Sequence, residues 1–171
     1  MTDKFTARWA KIEDMNNNII QDLFNRVKRT ERLNGRSPLG SPCYPEWMNF
    51  IQRQQNGEVR YQFLVVEDKQ NKVIGFCIAR HTLKMDHTTL EKMVILPEYQ
   101  HIGIGKFLLK KVFELAKSLN KINVRVKAES GKCNASMFYI KQGFILVDKK
   151  QNKSGSITDV LEYNLSVFNK G

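Results

Sequence analysis

Apolar runs from Tyr61 onward predict β-strands. The runs Tyr61–Glu67 and Val73–Ala79 are rich in β-branched and aromatic residues and flank the polar turn Asp68–Lys72, which predicts a β-hairpin. Thr88–Leu96 follows as a further apolar run. The later predicted strands are Asn123–Ala128 and, as a final pair around the polar stretch Asn152–Gly155, Phe144–Val147 and Ile157–Val167.

Helical spacing of apolar residues predicts helices between these strands. The stretch Lys106–Leu119 and the residues just before it carry one apolar stripe, formed by Ile104, Leu108, Val112, Leu115 and Leu119. The lysines fall largely on the other side, so we expect the stripe to pack on the sheet. The other predicted helices are one near Asp14–Leu33, a short one beginning at Pro45 and a short one over Asn134–Gln142.

Length and composition indicate one globular domain over residues 1–171. The chain has 42% hydrophobic and 26% charged residues, which is ordinary for a protein with a packed core. No apolar run approaches the roughly 20 residues that a membrane-spanning helix needs, and no leader-like segment opens the chain, so we expect a cytoplasmic protein. Cys43, Cys77 and Cys133 are widely spaced and the histidines are scattered, which favours neither a disulfide framework nor a metal site.

A formal net charge of +11 is the strongest departure from average composition. The densest basic cluster brackets a single acidic residue and consists of Arg26, Lys28, Arg29, Arg32 and Arg36. Such a run is typical of a solvated helix face, and RNA or another acidic partner is the alternative. The same positive charge makes a polycationic substrate such as a polyamine less expected.

A glycine-containing loop joins a predicted strand to a predicted helix. It consists of Gln100, His101, Ile102, Gly103, Ile104, Gly105 and Lys106. Backbone N–H groups at a helix N-terminus, next to residues that lack a Cβ, favour a pyrophosphate. A dinucleotide fingerprint would need a third glycine where the chain has Leu108, and a P-loop would need Ser or Thr in place of Phe107. A nucleotide-like cofactor with another loop pattern remains.

The remaining pattern, Gln-x-x-Gly-x-Gly, resembles that of the GNAT family of acyl-CoA-dependent N-acetyltransferases. The resemblance extends to the block from Asn134 to Phe144, which contains Tyr139 and ends in Gly-Phe. Two positions depart from the family's pattern: His101 stands where the family often has glycine, and Lys132 where it often has asparagine.

The resemblance implies a fold, a cofactor and a set of binding residues. It implies an α/β fold with a central mixed, mostly antiparallel, twisted sheet of about six to seven strands flanked by helices, and acetyl-CoA as the cofactor. The main chain of Met93, Val94 and Ile95 would hold the pantetheine arm and polarise the thioester carbonyl. The loop from Gln100 to Lys106 would hold the pyrophosphate, and Asn134 would add a contact.

Acetyl transfer to an amine also needs a base and an acid. An amine of unperturbed pKa near 10.4 arrives protonated, and a carboxylate can accept its proton directly or through water. Glu91 is the candidate, in a strand that resembles the corresponding strand of family members with a glutamate there, and alternation places it on one face with Met93 and Ile95. Tyr139 is the candidate general acid. The ordinary alternatives are a strand glutamate paired with a lysine and a tyrosine that only packs between helix and sheet.

The leading hypothesis is therefore an N-acetyltransferase in which a primary amine attacks the thioester of acetyl-CoA directly. The acceptor is open: a small amine, an amino acid, a protein amine or an aminoacyl-tRNA. Tyr44, Trp47 and Phe50 are candidates for the wall of its cleft. The alternative is a non-catalytic GNAT-like regulatory module that binds CoA or nucleic acid. Both a monomer and a homodimer paired through the last strands fit the sequence.

Overall fold

A computed structural model describes most of the chain. It covers residues 4–16, 18, 44–130, 135–151, 153 and 155–168. The predicted helix near Asp14–Leu33 lies largely outside the described residues; within them, Ile12–Asn16 form a short 3-10 helix.

The described residues form a seven-stranded sheet. Its order is β1-β2-β3-β4-β5-β7-β6. Only β4 and β5 are parallel; the other neighbours are antiparallel. This confirms the expected mixed, mostly antiparallel sheet. The strands are β1 (Phe5–Trp9), β2 (Tyr61–Asp68), β3 (Val73–His81), β4 (His87–Ile95), β5 (Asn123–Glu129), β6 (Ile145–Gln151) and β7 (Ile157–Asn164).

Three α-helices are described: α1 (Tyr44–Gln55), α2 (Ile104–Ser118) and α3 (Ala135–Lys141). Helix α1 contacts β2, and Phe50 stacks on Tyr61 with ring centroids 4.2 Å apart. Helix α2 buries the predicted stripe at Ile104, Leu108 and Val112, because these positions repeat at the period of one helical face. Short 3-10 helices over Pro97–Tyr99 and Leu165–Val167 complete the described elements.

The two faces of the sheet are covered by different helices. The face of Tyr61 contacts α1, and α2 and α3 contact the other face. On the α2 face an aromatic cluster ties the helix to the last strand: Phe113 stacks on Tyr163 at 4.1 Å and lies 5.9 Å from Phe144. This cluster fixes the position of α2 and therefore of its N-terminus.

A buried polar network lies on the α2 face. His81 is 1% exposed, and its Nδ1 and Nε2 each lie 2.6 Å from an oxygen, of Thr88 and Gln62 respectively. One neutral tautomer satisfies both contacts: Nε2–H donates to the Gln62 carbonyl oxygen and Nδ1 accepts from the Thr88 hydroxyl. Burial, reinforced by the charge of Lys121, lowers the pKa of His81 to about 4.

The hairpin and the later strands and helices are confirmed to within a few residues. Strand β1 was not predicted, because Phe5–Trp9 is short and carries Arg8 near its end. The structure shows why a charge is tolerated there. Arg8 bonds Asp14 at 2.7 and 2.8 Å and Glu67 at 2.8 Å.

Candidate active site

Strand β4 separates from β5 halfway along its length. The two strands pair only from His87 with Asn123 to Leu90 with Val126, while β4 continues to Ile95 beside β3 and β5 continues to Glu129 beside β7. The register with β3 shifts at the same place: Ile78 lies opposite Lys92, but Ala79 lies opposite Leu90. Glu91 is therefore the extra residue of a β-bulge. The result is an open main-chain edge that begins at the bulge.

Two residues present their main-chain groups to this edge. Leu96 N–H donates to Ile74 O on β3 at 2.9 Å. Because the direction of main-chain groups alternates along an antiparallel pair, Met93 and Ile95 point away from β3. The Gln100 side chain confirms this direction, since its amide donates to Ile95 O at 3.1 Å.

The direction of the main-chain groups of Val94 differs from the sequence prediction. Its carbonyl points at β3, where a Cβ added to Gly75 would lie 2.7 Å from Val94 O. Of the three residues predicted to offer main-chain groups, only Met93 and Ile95 therefore do so at the open edge.

The loop after β4 leads into the free N-terminus of α2. Gly103 precedes the helix with φ 95°, and no side chain of a described residue caps the N–H groups of the first turn. His101 also has a positive φ, of 63°, which explains why glycine suits that position. His101, Ile102 and Lys106 are exposed, whereas Ile104 is buried. Unpaired N–H groups at a helix start are a binding site for anions.

Glycine is needed at positions 103 and 105 for different structural reasons. A Cβ at Gly103 would meet nothing within 4 Å, so its positive φ is what requires glycine. A Cβ at Gly105 would lie 2.9 Å from Cζ of Phe138 and 3.7 Å from Cδ1 of Ile95. The loop pattern predicted that both glycines permit the approach of phosphates. In the structure Gly105 permits α2 to pack closely against α3.

Tyr139 lies on α3 and is buried against the sheet. Its ring makes edge-to-face contacts with Phe138 and Phe144 at 5.1 and 5.2 Å. Burial, with a smaller effect from Cys77, raises the pKa of the Tyr139 phenol well above its usual value. Cys77 lies opposite Met93, so Tyr139 is close to the open part of β4. At neutral pH the phenol is therefore protonated and is a proton donor.

Glu91 lies on the opposite face of the sheet from Tyr139. Its side chain is 7% exposed, and Oε1 lies 2.5 Å from Nε of Arg80. These two atoms are in ion-pair contact but outside hydrogen-bond geometry, so both are buried without a hydrogen bond to any described residue. Arg80 lies opposite Thr89, on the face covered by α1.

The predicted alternation of β4 is therefore wrong at one position. It placed Glu91 with Met93 and Ile95, but the bulge turns Glu91 to the face of Arg80, as expected when two consecutive residues of a bulge share a side. Met93 and Ile95 lie on the α2 face, opposite Cys77 and beside Gly105.

Some predicted residues lie outside the described part of the chain. These are Asn134, Lys132 and the basic cluster from Arg26 to Arg36. Of the predicted acceptor wall, Phe50 has a described side chain, and it stacks on Tyr61. Near it a shallow cleft is lined by Phe50, Arg53, Gln54, Glu58, Arg60 and Tyr61.

Arg80 was not predicted as a site residue. The available signal was one arginine near the end of an apolar strand run, Val73–His81. The bulge that brings Glu91 to it has no signature in the sequence.

Comparison with known proteins identifies the family of this chain. A family model described as an acetyltransferase (GNAT) domain matches residues 59–146. The chain belongs to the GNAT family. The matched region contains β2 to β5, the loop from Gln100 to Lys106, and Tyr139.

The chain is also similar to a related protein in sequence and to two solved structures in fold. The chain is 33% identical over 108 residues to a [ribosomal protein bS18]-alanine N-acetyltransferase of Haemophilus influenzae, covering 62% of this chain and 69% of that protein. Spermidine N-acetyltransferase from Vibrio cholerae, solved with CoA and spermine, has a TM-score of 0.75 at 17% identity and 95% and 96% coverage. The PaiA N-acetyltransferase of Thermoplasma acidophilum, solved with coenzyme A, has 0.74 at 20% identity and 94% and 98% coverage.

Membership makes this GNAT protein an acyl-CoA-dependent N-acetyltransferase with acetyl-CoA as donor. The described residues fit that donor. The N-terminus of α2 presents unpaired N–H groups suited to a pyrophosphate, and the open edge of β4 presents main-chain groups suited to an amide-containing arm. Among the described helices none is long and apolar enough to span a membrane.

Proposed function

We propose that this GNAT protein transfers the acetyl group of acetyl-CoA directly to a primary amine at the β4 bulge. The observation that carries the proposal is the end of β4–β5 pairing at Leu90, immediately before the bulged Glu91. Acetyl-CoA supplies an acetyl group activated as a thioester. The chain's own residues bind the donor and transfer the protons.

Binding is assigned to main-chain groups. The N–H groups of the loop from Gln100 to Lys106 hold the pyrophosphate, aided by the positive end of the α2 dipole. Met93 and Ile95 hydrogen-bond the donor's arm along the open edge, and the Met93 N–H is the candidate donor to the thioester carbonyl. Lys106 is exposed at the first turn of α2 and adds positive charge.

Proton transfer is assigned to two side chains on opposite faces of the sheet. Glu91 accepts the proton that the amine must lose, because its Oε1 is buried beside the bulge without a hydrogen bond from a described residue. Tyr139 donates a proton to the departing sulfur from the other face. Its raised pKa keeps the phenol protonated until that step. The two faces thus separate the incoming amine from the outgoing thiol.

The acceptor belongs to the class of primary amines. The similar proteins from Haemophilus influenzae and Vibrio cholerae act, according to their names, on a ribosomal-protein alanine and on spermidine, and both substrates carry amines. The alternative of a non-catalytic module that binds nucleic acid has no feature in its favour among the described residues.

The test combines binding and turnover. In calorimetric titration, acetyl-CoA should bind stoichiometrically to the wild type and to Tyr139→Phe with the same affinity. In a thiol-release assay with an accepted amine, Tyr139→Phe should lower kcat about 100-fold or more, as expected for loss of a general acid. Glu91→Gln should lower kcat without changing the KM for acetyl-CoA.

Tyr163→Phe is the matched control for the tyrosine. Tyr163 is 9% exposed and stacks on Phe113 in the same aromatic cluster, so this variant removes a phenol hydroxyl from that cluster without touching the edge of β4. We expect its kcat to equal that of the wild type. Full activity of Tyr139→Phe would show that Tyr139 only packs between helix and sheet.

A further inference from the structure

A row of polar side chains crosses the face of the sheet covered by α1. The register places Tyr61 opposite Arg80, Arg80 opposite Thr89, and Thr89 opposite Arg125. Residues directly opposite one another share a face. The row passes through the last part of the sheet where β4 and β5 are still paired, next to the bulge.

The two arginines of this row have different environments. Arg125 is neutralised by Glu162, directly opposite on β7, through hydrogen bonds of 2.9 Å from Nε and 2.5 Å from Nη2 to the same oxygen. Arg80 contacts Glu91 through Nε without hydrogen-bond geometry.

The Arg80 side chain is only partly buried. Its Nε is buried, but the side chain as a whole is 34% exposed. Neither Nη atom hydrogen-bonds a described residue. A partly exposed arginine beside a buried carboxylate is a site for a planar anion, because its guanidinium can bind a carboxylate through two N–H groups.

We propose that Arg80 binds the carboxylate of the acceptor, and that the acceptor is therefore an amino acid. The inference rests on the proposed function, because it requires the acceptor amine to reach Glu91. Glu91 and Arg80 present a negative and a positive group in contact with each other. A free amino acid presents the complementary pair, an ammonium and a carboxylate separated by one carbon. Glu91 takes the proton of the amine while Arg80 holds the carboxylate in its fork.

The first test uses matched pairs of acceptors with the wild-type protein. The twenty amino acids and their carboxamides would be compared with spermidine and phosphoethanolamine in a thiol-release assay at saturating acetyl-CoA. For the best amino acid we expect kcat/KM to exceed that of its carboxamide by about tenfold to hundredfold, the usual effect of a charge-assisted bidentate contact. Spermidine should be a poor acceptor.

The second test changes the fork while keeping the charge beside Glu91. Arg80→Lys should raise the KM for the amino acid about tenfold or more, because a lysine cannot bind a carboxylate with two parallel N–H groups. The KM for the carboxamide and the KM for acetyl-CoA should not change. The control is Arg8→Lys, which removes the fork of another partly exposed, ion-paired arginine, 2.7 Å from Asp14, and should leave both acceptors unaffected.

The outcomes separate this inference from the proposed function. Equal or better transfer to carboxamides, to spermidine or to phosphoethanolamine would overturn the amino-acid acceptor and leave the N-acetyltransferase mechanism intact. An unchanged preference in Arg80→Lys, or an equal loss of preference in Arg8→Lys, would overturn the role of Arg80. If no amine were acetylated although acetyl-CoA bound, the amino-acid acceptor would fail together with the assignment of Glu91 and Tyr139.

Discussion

The two glycines at the start of α2 offer the sharpest test of the loop geometry. Gly103 has φ 95° and open space where a Cβ would lie, whereas a Cβ at Gly105 would lie 2.9 Å from the Phe138 ring. Alanine at the first position therefore meets backbone strain, and alanine at the second meets a neighbouring side chain. The perturbation is Gly103→Ala and Gly105→Ala, each alone and each combined with Phe138→Leu.

The effect of Gly105→Ala on the free energy of unfolding should differ in sign between the wild type and the Phe138→Leu variant. A left-handed backbone costs an alanine about 1–2 kcal/mol, and Phe138 has no influence on this cost. Overpacking at Gly105 costs about 1–3 kcal/mol, against a gain of up to about 1 kcal/mol from the better helix propensity of alanine. With Phe138→Leu the clash is removed and the propensity gain remains. Gly105→Ala should thus destabilise the wild type but be neutral or stabilising in the leucine background.

The assay is urea unfolding followed by circular dichroism, with acetyl-CoA affinity measured in parallel. A double-mutant cycle isolates the coupling between positions 105 and 138. We expect coupling of about 1 kcal/mol or more for that pair and none between positions 103 and 138. Gly103→Asn should cost less than Gly103→Ala, because asparagine tolerates a positive φ. Additive effects of Gly105→Ala and Phe138→Leu would refute the packing explanation.

Two further predictions concern buried groups. Burial lowers the pKa of His81 from its ordinary value of 6.5 to about 4, so between these two pH values the unfolded chain binds a proton that the folded chain does not. The titration of His81 should therefore leave the free energy of unfolding unchanged above pH 6.5 and lower it by about 3 kcal/mol between pH 6.5 and 4. In urea titrations of His81→Gln this contribution should be absent. Cys77 is fully buried and burial raises the pKa of its thiol to about 12, so in a Cys43→Ser/Cys133→Ser variant Ellman's reagent should label it only on unfolding, and rapid labelling in native buffer would contradict this.

Sequence patterns were sufficient for the elements that depend on local periodicity. The stripe of α2 and the hairpin of β2 and β3 follow from residues close together in the chain, so their positions were predicted closely. The strand–glycine–helix order also placed the free N-terminus of α2. His101 adopts the left-handed backbone that the glycine of other family members would adopt without cost.

The features that sequence patterns missed depend on pairing between distant segments. The bulge at Glu91 is defined by the register with Ile78 and Ala79, and no residue type in β4 encodes it. Since one extra residue reverses the face of a side chain, the prediction for Glu91 was wrong while the strand itself was right. The reason for Gly105 lies in Phe138, on another helix.

The division of the sheet at β4 gives the donor a structural part in the enzyme. Seven residue pairs join β3 to β4 and seven join β5 to β7, but only four join β4 to β5. The sheet thus has two extensively paired parts joined by the short pairing of β4 with β5. On the proposed function, acetyl-CoA would lie beside the unpaired length of β4 in the place of a further strand. Binding of the donor would then complete the sheet in each catalytic cycle, and product release would open it again.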